Sequence, residues 1–141
     1  MRWPSWLRRG DPEEAEHLKL GRRGEKLAVR HLKRNGYRVL ARNWRCKHDE
    51  LDVVARRDDL LVVVEVKTRR DTTFGRPADA VDREKRRRLS RAGLAYVKRL
   101  RAKPRALRFD SIEVVWPADG TPEIRHLENA FTSEGGGRAQ W

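Results

Sequence analysis

Leu60-Leu61-Val62-Val63-Val64-Glu65-Val66-Lys67 is the stretch that decides the fold of this chain. From Leu60 to Val66 it is almost wholly aliphatic, as expected of a central strand covered on both faces. In a chain of 141 residues, a strand of that kind implies one α/β domain, because two separate cores would be hard to build at this length. The exception within the run is Glu65. A carboxylate at the end of a buried strand is costly unless a cation or hydrogen bonds satisfy it. Strand side chains alternate, so Glu65 and Lys67 project from the same face.

Upstream, Arg56-Arg57-Asp58-Asp59 reads as a polar turn, and Glu50–Ala55 alternates as a strand. Leu51 and Val53 are expected on one of its faces, with Glu50, Asp52 and Val54 on the other. Arg45–Asp49 reads as a loop and Tyr37–Trp44 as a further strand. A helix is expected from about His17 to Asn35, with Leu20, Gly24, Leu27, Ala28, His31 and Leu32 along one face and Asn35-Gly36 as its stop. Downstream, a helix is expected over about Ala78 to Arg101, with Val81, Lys85, Leu89, Ala92 and Tyr96 sharing a face. Leu107–Trp116 then reads as a strand, Pro117–Pro122 as a turn, and Glu123–Leu127 as a short edge strand. This is an α/β protein with a mixed central sheet of four or five strands flanked by two helices. Residues 1–16 lack periodicity and residues 132–141 include Gly135-Gly136-Gly137. Both are expected to be flexible ends around a body at 17–131.

The charge balance points to a partner. Lys and Arg number 34 against 21 Asp and Glu, a net +13, and such a field attracts polyanions, nucleic acid first among them. The same charge equally permits RNA. No stretch approaches the roughly 20 apolar residues that span a bilayer, so no membrane partner is expected. The basic start has no apolar run behind it, and a cytoplasmic protein is the expectation. Cys46 is the only cysteine, which excludes an internal disulfide and a cysteine-based zinc cluster. His17, His31, His48 and His126 lack the spacing of a metal-binding pair. Trp44 and Trp116 read as core or sheet-edge residues.

Asp52 lies 13 residues before Glu65, across a hairpin-like connection whose turn allows the two acids to approach. Two carboxylates and a lysine at adjacent strand ends match what metal-assisted phosphodiester hydrolysis requires. Carboxylates hold a hard divalent ion that keeps its waters and contacts substrate phosphate. Such an ion acidifies water and offsets charge developing at phosphorus. Lysine orients or helps deprotonate the water and binds the phosphate. The competing reading is an ordinary ion pair at a sheet edge. Glu50 is either an acid lying just behind this pair or a solvent-facing strand residue. Lys85 either reaches the rim of the site and touches phosphate, or is a surface lysine lying over the core. Arg86, Arg87, Arg88 and Arg91 form a candidate phosphate-binding track, as do Arg69, Arg70 and Arg76 at the exit of the central strand.

Asp52 followed by Glu65-Val66-Lys67 resembles the signature of the PD-(D/E)XK nucleases, within that superfamily's order of helix, three strands, helix and strand. More closely, the chain resembles the bacterial YraN-like family, regarded as related to archaeal Holliday-junction resolvases. The resemblance runs through Gly21-Arg22-Arg23-Gly24-Glu25, Gly36-Tyr37, Asn43-Trp44-Arg45 and Glu50-Leu51-Asp52. It continues in Val64-Glu65-Val66-Lys67-Thr68-Arg69, Ala80-Val81 with Lys85, and Arg108-Phe109-Asp110, covering about residues 19–131. It implies a restriction-endonuclease-like sandwich and a Mg²⁺- or Mn²⁺-dependent endonuclease acting on DNA, with branched or structured DNA favoured. Asp52 and Glu65 would hold metal, Lys67 would position water, and Glu25 would join from the first helix. The alternative for Glu25 is an exposed acid stabilised by Arg22 or Arg30. Because resolvase relatives cut as dimers, the resemblance also implies a homodimer. The alternative function is a non-catalytic nucleic-acid-binding module that keeps the fold. One departure stands out: Asp49 precedes Glu50 where the family usually has Gly. Either the turn there differs, or an extra carboxylate bears on metal affinity.

Overall fold

The structure, a computed structural model, describes residues 12–70 and 83–131. Helix α1 spans Pro12–Arg34, followed by strands β1 (Arg38–Cys46), β2 (Asp49–Arg57) and β3 (Leu60–Arg69). Helix α2 (Arg83–Arg99) leads to β4 (Ala106–Val115) and β5 (Glu123–Phe131). The five strands form one sheet in chain order. Only β3 and β4 run parallel; the other neighbours are antiparallel. The architecture is a mixed sheet between two helices, consistent with a restriction-endonuclease-like sandwich.

Alternation along β3 divides the core. Val62 and Val64 pack with Ala28, Val29 and Leu32 of α1, together with Val53, Ala55, Ile112 and Val114. Leu61 and Val63 pack on the opposite face with Leu89, Ala92, Tyr96 and Val97 of α2, together with Phe109 and Phe131. Each aliphatic side chain buried here contributes roughly 1.5–3 kcal/mol. Four in succession on β3 therefore hold a strand that also carries one buried carboxylate, which costs several kcal/mol.

Several boundaries differ from the sequence expectation. Helix α1 begins at Pro12 rather than His17, so residues 12–16 of the expected arm are helical. Proline is well suited to a first helical position, and Glu13 and Glu14 in the first turn favour the helix N-terminus. Strand β1 runs on to Cys46, and the turn to β2 is only Lys47-His48. The positive φ at this turn falls on Lys47, at 56°. Asp49 instead opens β2 opposite Cys46, so the usual family glycine has no left-handed backbone to serve at Asp49. Strand β5 is longer than expected, reaching Phe131, whose side chain closes the α2-side core. Residues 1–11, the expected helical stretch 78–82 with Val81, Arg76 and the 132–141 tail lie outside the described residues.

Candidate active site

The sheet opens where its chemistry sits. Strands β2 and β3 pair from Arg57↔Leu60 to Val53↔Val64 and no further. Continued in that register, Leu51 would face Val66. Instead the Asp52 carboxylate takes the freed amide, with Val66 N–H donating to Asp52 Oδ2 at 2.9 Å. The expected alternation of β2 breaks at this point. Val53 and Ala55 face the α1 side, but Leu51 joins Val54 on the α2 side rather than sharing a face with Val53. Opposite the break, Asn43 adopts φ 49°, a left-handed conformation that asparagine tolerates. Its Nδ2 donates to Glu25 Oε1 at 2.9 Å, while Arg42 Nε lies 3.4 Å from the same oxygen. Glu25 is therefore held by β1, not by Arg22 or Arg30. Gly24 brings the helix close, because a Cβ there would run into the Thr68 side chain.

On the α2 face, the odd-numbered row of β3 turns from Leu61 and Val63 to Glu65 and Lys67 just where β2 departs. Glu65 is 9% exposed. Its Oε1 pairs with Lys85 Nζ, which brings Lys85 to the site, and its Oε2 is buried without a hydrogen-bond partner. Burial pushes the Asp52 carboxyl up to about 6. The Val66 amide opposes that shift, and the charges of Glu65, Glu25 and Glu50 add to it. Glu50 itself is exposed and lies 3.6 Å from Arg45 Nε, so it reaches Asp52 only through its field. Burial and the neighbouring Lys85 lower Lys67 from its usual value, against the pull of Glu65. Asp52 thus stands in the field of Glu65, whose second carboxylate oxygen is orphaned.

A hard divalent cation fits that chemistry. Magnesium is commonly bound by one or two carboxylates, with water and phosphate completing its shell. Among the described residues, no three His, Cys, Asp or Glu side chains gather closely enough to hold a metal by themselves. The candidate set is therefore Asp52 with Glu65, and Glu25, tied to Arg42 and Asn43, stands behind it.

Arg86, Arg87, Arg88 and Arg91 lie exposed along α2. Arg86 lies 5.9 Å from the centre of the Phe131 ring, Arg88 pairs with Glu84 at 2.7 Å, and Arg91 grips Asp49 at 3.3 Å. Arg69 lies 3.8 Å from Glu113, and Arg70 3.5 Å from Glu16. Arg76 falls outside the described residues. Trp44, on the edge strand β1, packs edge-on to Tyr96, and Trp116, just past the inner strand β4, lies beneath Arg23; both are half-buried against the core.

Two features escaped the sequence reading. One is Glu113, buried on β4 beside Lys67. It stands inside Ile112-Glu113-Val114-Val115, the same signal of an acid within an aliphatic strand that singled out Glu65. The other lies under the C-terminal end of α1. Asp110 receives Arg108 at 2.7 and 2.8 Å, His126 at 2.7 Å and the Asn129 amide at 2.9 Å. His126 Nδ1 meets His31 Nε2 at 3.0 Å, and Arg108 also donates to the Tyr37 hydroxyl at 2.7 Å. No spacing rule joins residues 31, 110 and 126; the pairing of β4 with β5 and the docking of α1 on the sheet do.

A five-stranded α/β sandwich with two acids and a lysine where its strands part defines the class of this protein. Within that class, residues 24–114 match the model of the Uncharacterised protein family UPF0102, and the chain belongs to that family. A UPF0102 protein of Porphyromonas gingivalis is 47% identical over 118 residues, covering 83% of this chain and 87% of its own. One from Bacteroides thetaiotaomicron is 45% identical, covering 83% and 95%, and one from Geotalea daltonii is 44% identical, covering 79% and 88%. Among the described residues, no helix is long and apolar enough to cross a membrane.

Proposed function

We propose that this chain is a PD-(D/E)XK endonuclease that hydrolyses DNA phosphodiester bonds with Mg²⁺ or Mn²⁺, acting in the cytoplasm on branched or structured DNA. The observation that carries the reading is the Asp52–Val66 hydrogen bond of 2.9 Å. It pins one acid to the amide between Glu65 and Lys67 and brings Asp52 into the field of Glu65. Asp52 and Glu65 hold the cation, which when bound acidifies water and offsets charge at phosphorus. Lys67 binds the phosphate and orients the attacking water. Glu25 acts on Asp52 through its field, held in place by Arg42 and Asn43. The exposed arginines of α2 carry the DNA backbone, and a homodimer would let two strands be cut.

The Glu65–Lys85 pair favours a second reading, a nucleic-acid-binding module without catalysis, because it neutralises Glu65 without a metal ion. Cleavage of linear, flapped and four-way DNAs with Mg²⁺ or Mn²⁺ decides between them. The nuclease reading requires divalent-dependent cleavage that Lys67→Ala abolishes. Binding without cleavage on every substrate leaves the module.

A further inference from the structure

Glu113 is a second buried acid on the candidate site's face, and the roles proposed so far do not use it. In the parallel register of β3 and β4 it stands opposite Lys67. Its neighbours Ile112 and Val114 face α1, so Glu113 faces α2, on the side of Leu61, Val63 and Glu65. Its side chain is 8% exposed, and the nearest cation found for it, Arg69 Nε, is 3.8 Å from Oε1. That oxygen accepts no hydrogen bond. A carboxylate so far out of water costs several kcal/mol when left unmatched, so a cation has to answer it. Lys85 is engaged by Glu65 and Arg69 stays beyond hydrogen-bond reach. Arg125 of β5 also stands opposite Glu113, but its Nε lies 3.2 Å from Glu123, which leaves Lys67, directly across from Glu113 on β3.

We propose that Glu113 is a positioning residue for Lys67: its charge, directly across the parallel strands, attracts the Lys67 ammonium and limits the range over which Nζ swings. This rests on the reading of Lys67 as the group that meets water and phosphate. A lysine ammonium swings on a four-carbon stem with about 2 kcal/mol of rotamer entropy. Acids on both sides, Glu65 along the strand and Glu113 across it, restrict that swing before substrate arrives. Lys67 then presents one position to phosphate, and little further ordering is needed during the reaction.

Two measurements test this. The first is a double-mutant cycle on urea stability with Glu113→Gln and Lys67→Met, which does not depend on cleavage. The expected coupling is about fivefold in the unfolding equilibrium constant, larger than that between Glu113→Gln and Arg69→Met. No coupling to Lys67, or a larger one to Arg69, overturns the proposal by making Glu113 a structural partner of Arg69. The second is steady-state cleavage by Glu113→Gln. Here kcat should fall between about tenfold and a hundredfold with KM nearly unchanged, and Glu113→Asp should recover part of the loss. Unchanged kcat for the folded variant also overturns it. If Lys67 and Glu113 couple but wild type cleaves nothing, the nuclease reading fails and the pairing stands. If cleavage is normal without coupling, the pairing fails and the nuclease reading stands.

Discussion

The side chain of Asp52 takes the amide of Val66 that strand β2 leaves behind, at 2.9 Å. An acid doing a backbone's work at the fork of a sheet is fixed in place while its second oxygen is left for other duty. The surrounding charges of Glu65, Glu25 and Glu50 make that position unfavourable for a carboxylate.

Asp52→Asn keeps an acceptor for the Val66 amide and removes the repulsion. In the absence of divalent ions, the variant should be more stable than wild type by about 1 kcal/mol, a rise of roughly 3–5 °C in Tm. Saturating Mn²⁺ should reverse the order. Wild type gains about 2.7 kcal/mol at a hundredfold excess over Kd, and the variant gains much less. Thermal melts with and without Mn²⁺ check this, and equal shifts in both proteins would remove Asp52 from the cation site.

Gly24→Ala tests how closely α1 must approach β3. A methyl group there meets Oγ1, Cβ and Cγ2 of Thr68, and Cβ belongs to a central strand that cannot yield. Overpacking of this kind costs about 1–3 kcal/mol. Thr68→Ala in the same chain should restore part of that, since it removes two of the three opposing atoms. Urea melts of the single and double variants give the answer, and a neutral Gly24→Ala would mean that α1 stands further off.

The central strand and its two charged residues were legible because the signal is local: an aliphatic run broken by one acid, and a period of two that puts Glu65 and Lys67 on one face. The helices were legible from their apolar stripes, apart from the Pro12 start, where a charged first turn hides the periodicity. The face of Leu51 was misread. The left-handed Asn43 and the parting of β2 from β3 reset the alternation at Asp52, and neither event is written within five residues of Leu51 as an apolar pattern. Asp110 with His126 and His31 could not be found by spacing, because strand pairing and helix docking bring them together. Glu113 needed no fold at all; the rule applied to Glu65 applies to it unchanged.

The Asp110 cluster gives the fold an acid sensitivity. Burial raises the Asp110 carboxyl, but hydrogen bonds from His126, Arg108 and the Asn129 amide outweigh it and hold it below its ordinary value. An acid depressed in the fold stabilises it above the unfolded value, about 3.9, and that contribution is lost as pH falls through the folded value. His31 is lowered by burial and then by His126, so its contribution is intact above about 6.5 and declines below it. Asp52 has the opposite sign: with a folded value of about 6, its protonation favours the fold as pH drops. The His31 effect is therefore read as a difference. Wild type minus His31→Gln stability should decrease from pH 7 to 5. Asp110→Ala should cost about 3 kcal/mol at pH 7, because Arg108 keeps only Tyr37 and the exposed Glu128 as partners, and the cost should shrink below pH 4. A pH-independent penalty would contradict the assignment.

The exposed arginines of α2 are the proposed path for the DNA backbone. Arg91 is gripped by Asp49 at the β1–β2 turn, and Arg86, Arg87 and Arg88 stand exposed on the first turns of the helix. Each phosphate neutralised adds about 0.9 to the slope of log K against log salt. Replacing Arg86, Arg87 and Arg88 by alanine should flatten that slope by roughly one to three units. Arg91→Ala should change it by well under one unit, because an arginine already paired with Asp49 has little charge left to neutralise phosphate. Affinity should fall for linear and branched DNA alike, since backbone contacts carry no sequence information. Fluorescence titrations of both variants over a range of salt concentrations would read this directly. If Arg91→Ala flattens the slope as much as the triple variant does, the DNA path runs over the β1–β2 turn at Asp49 rather than along the first turns of α2.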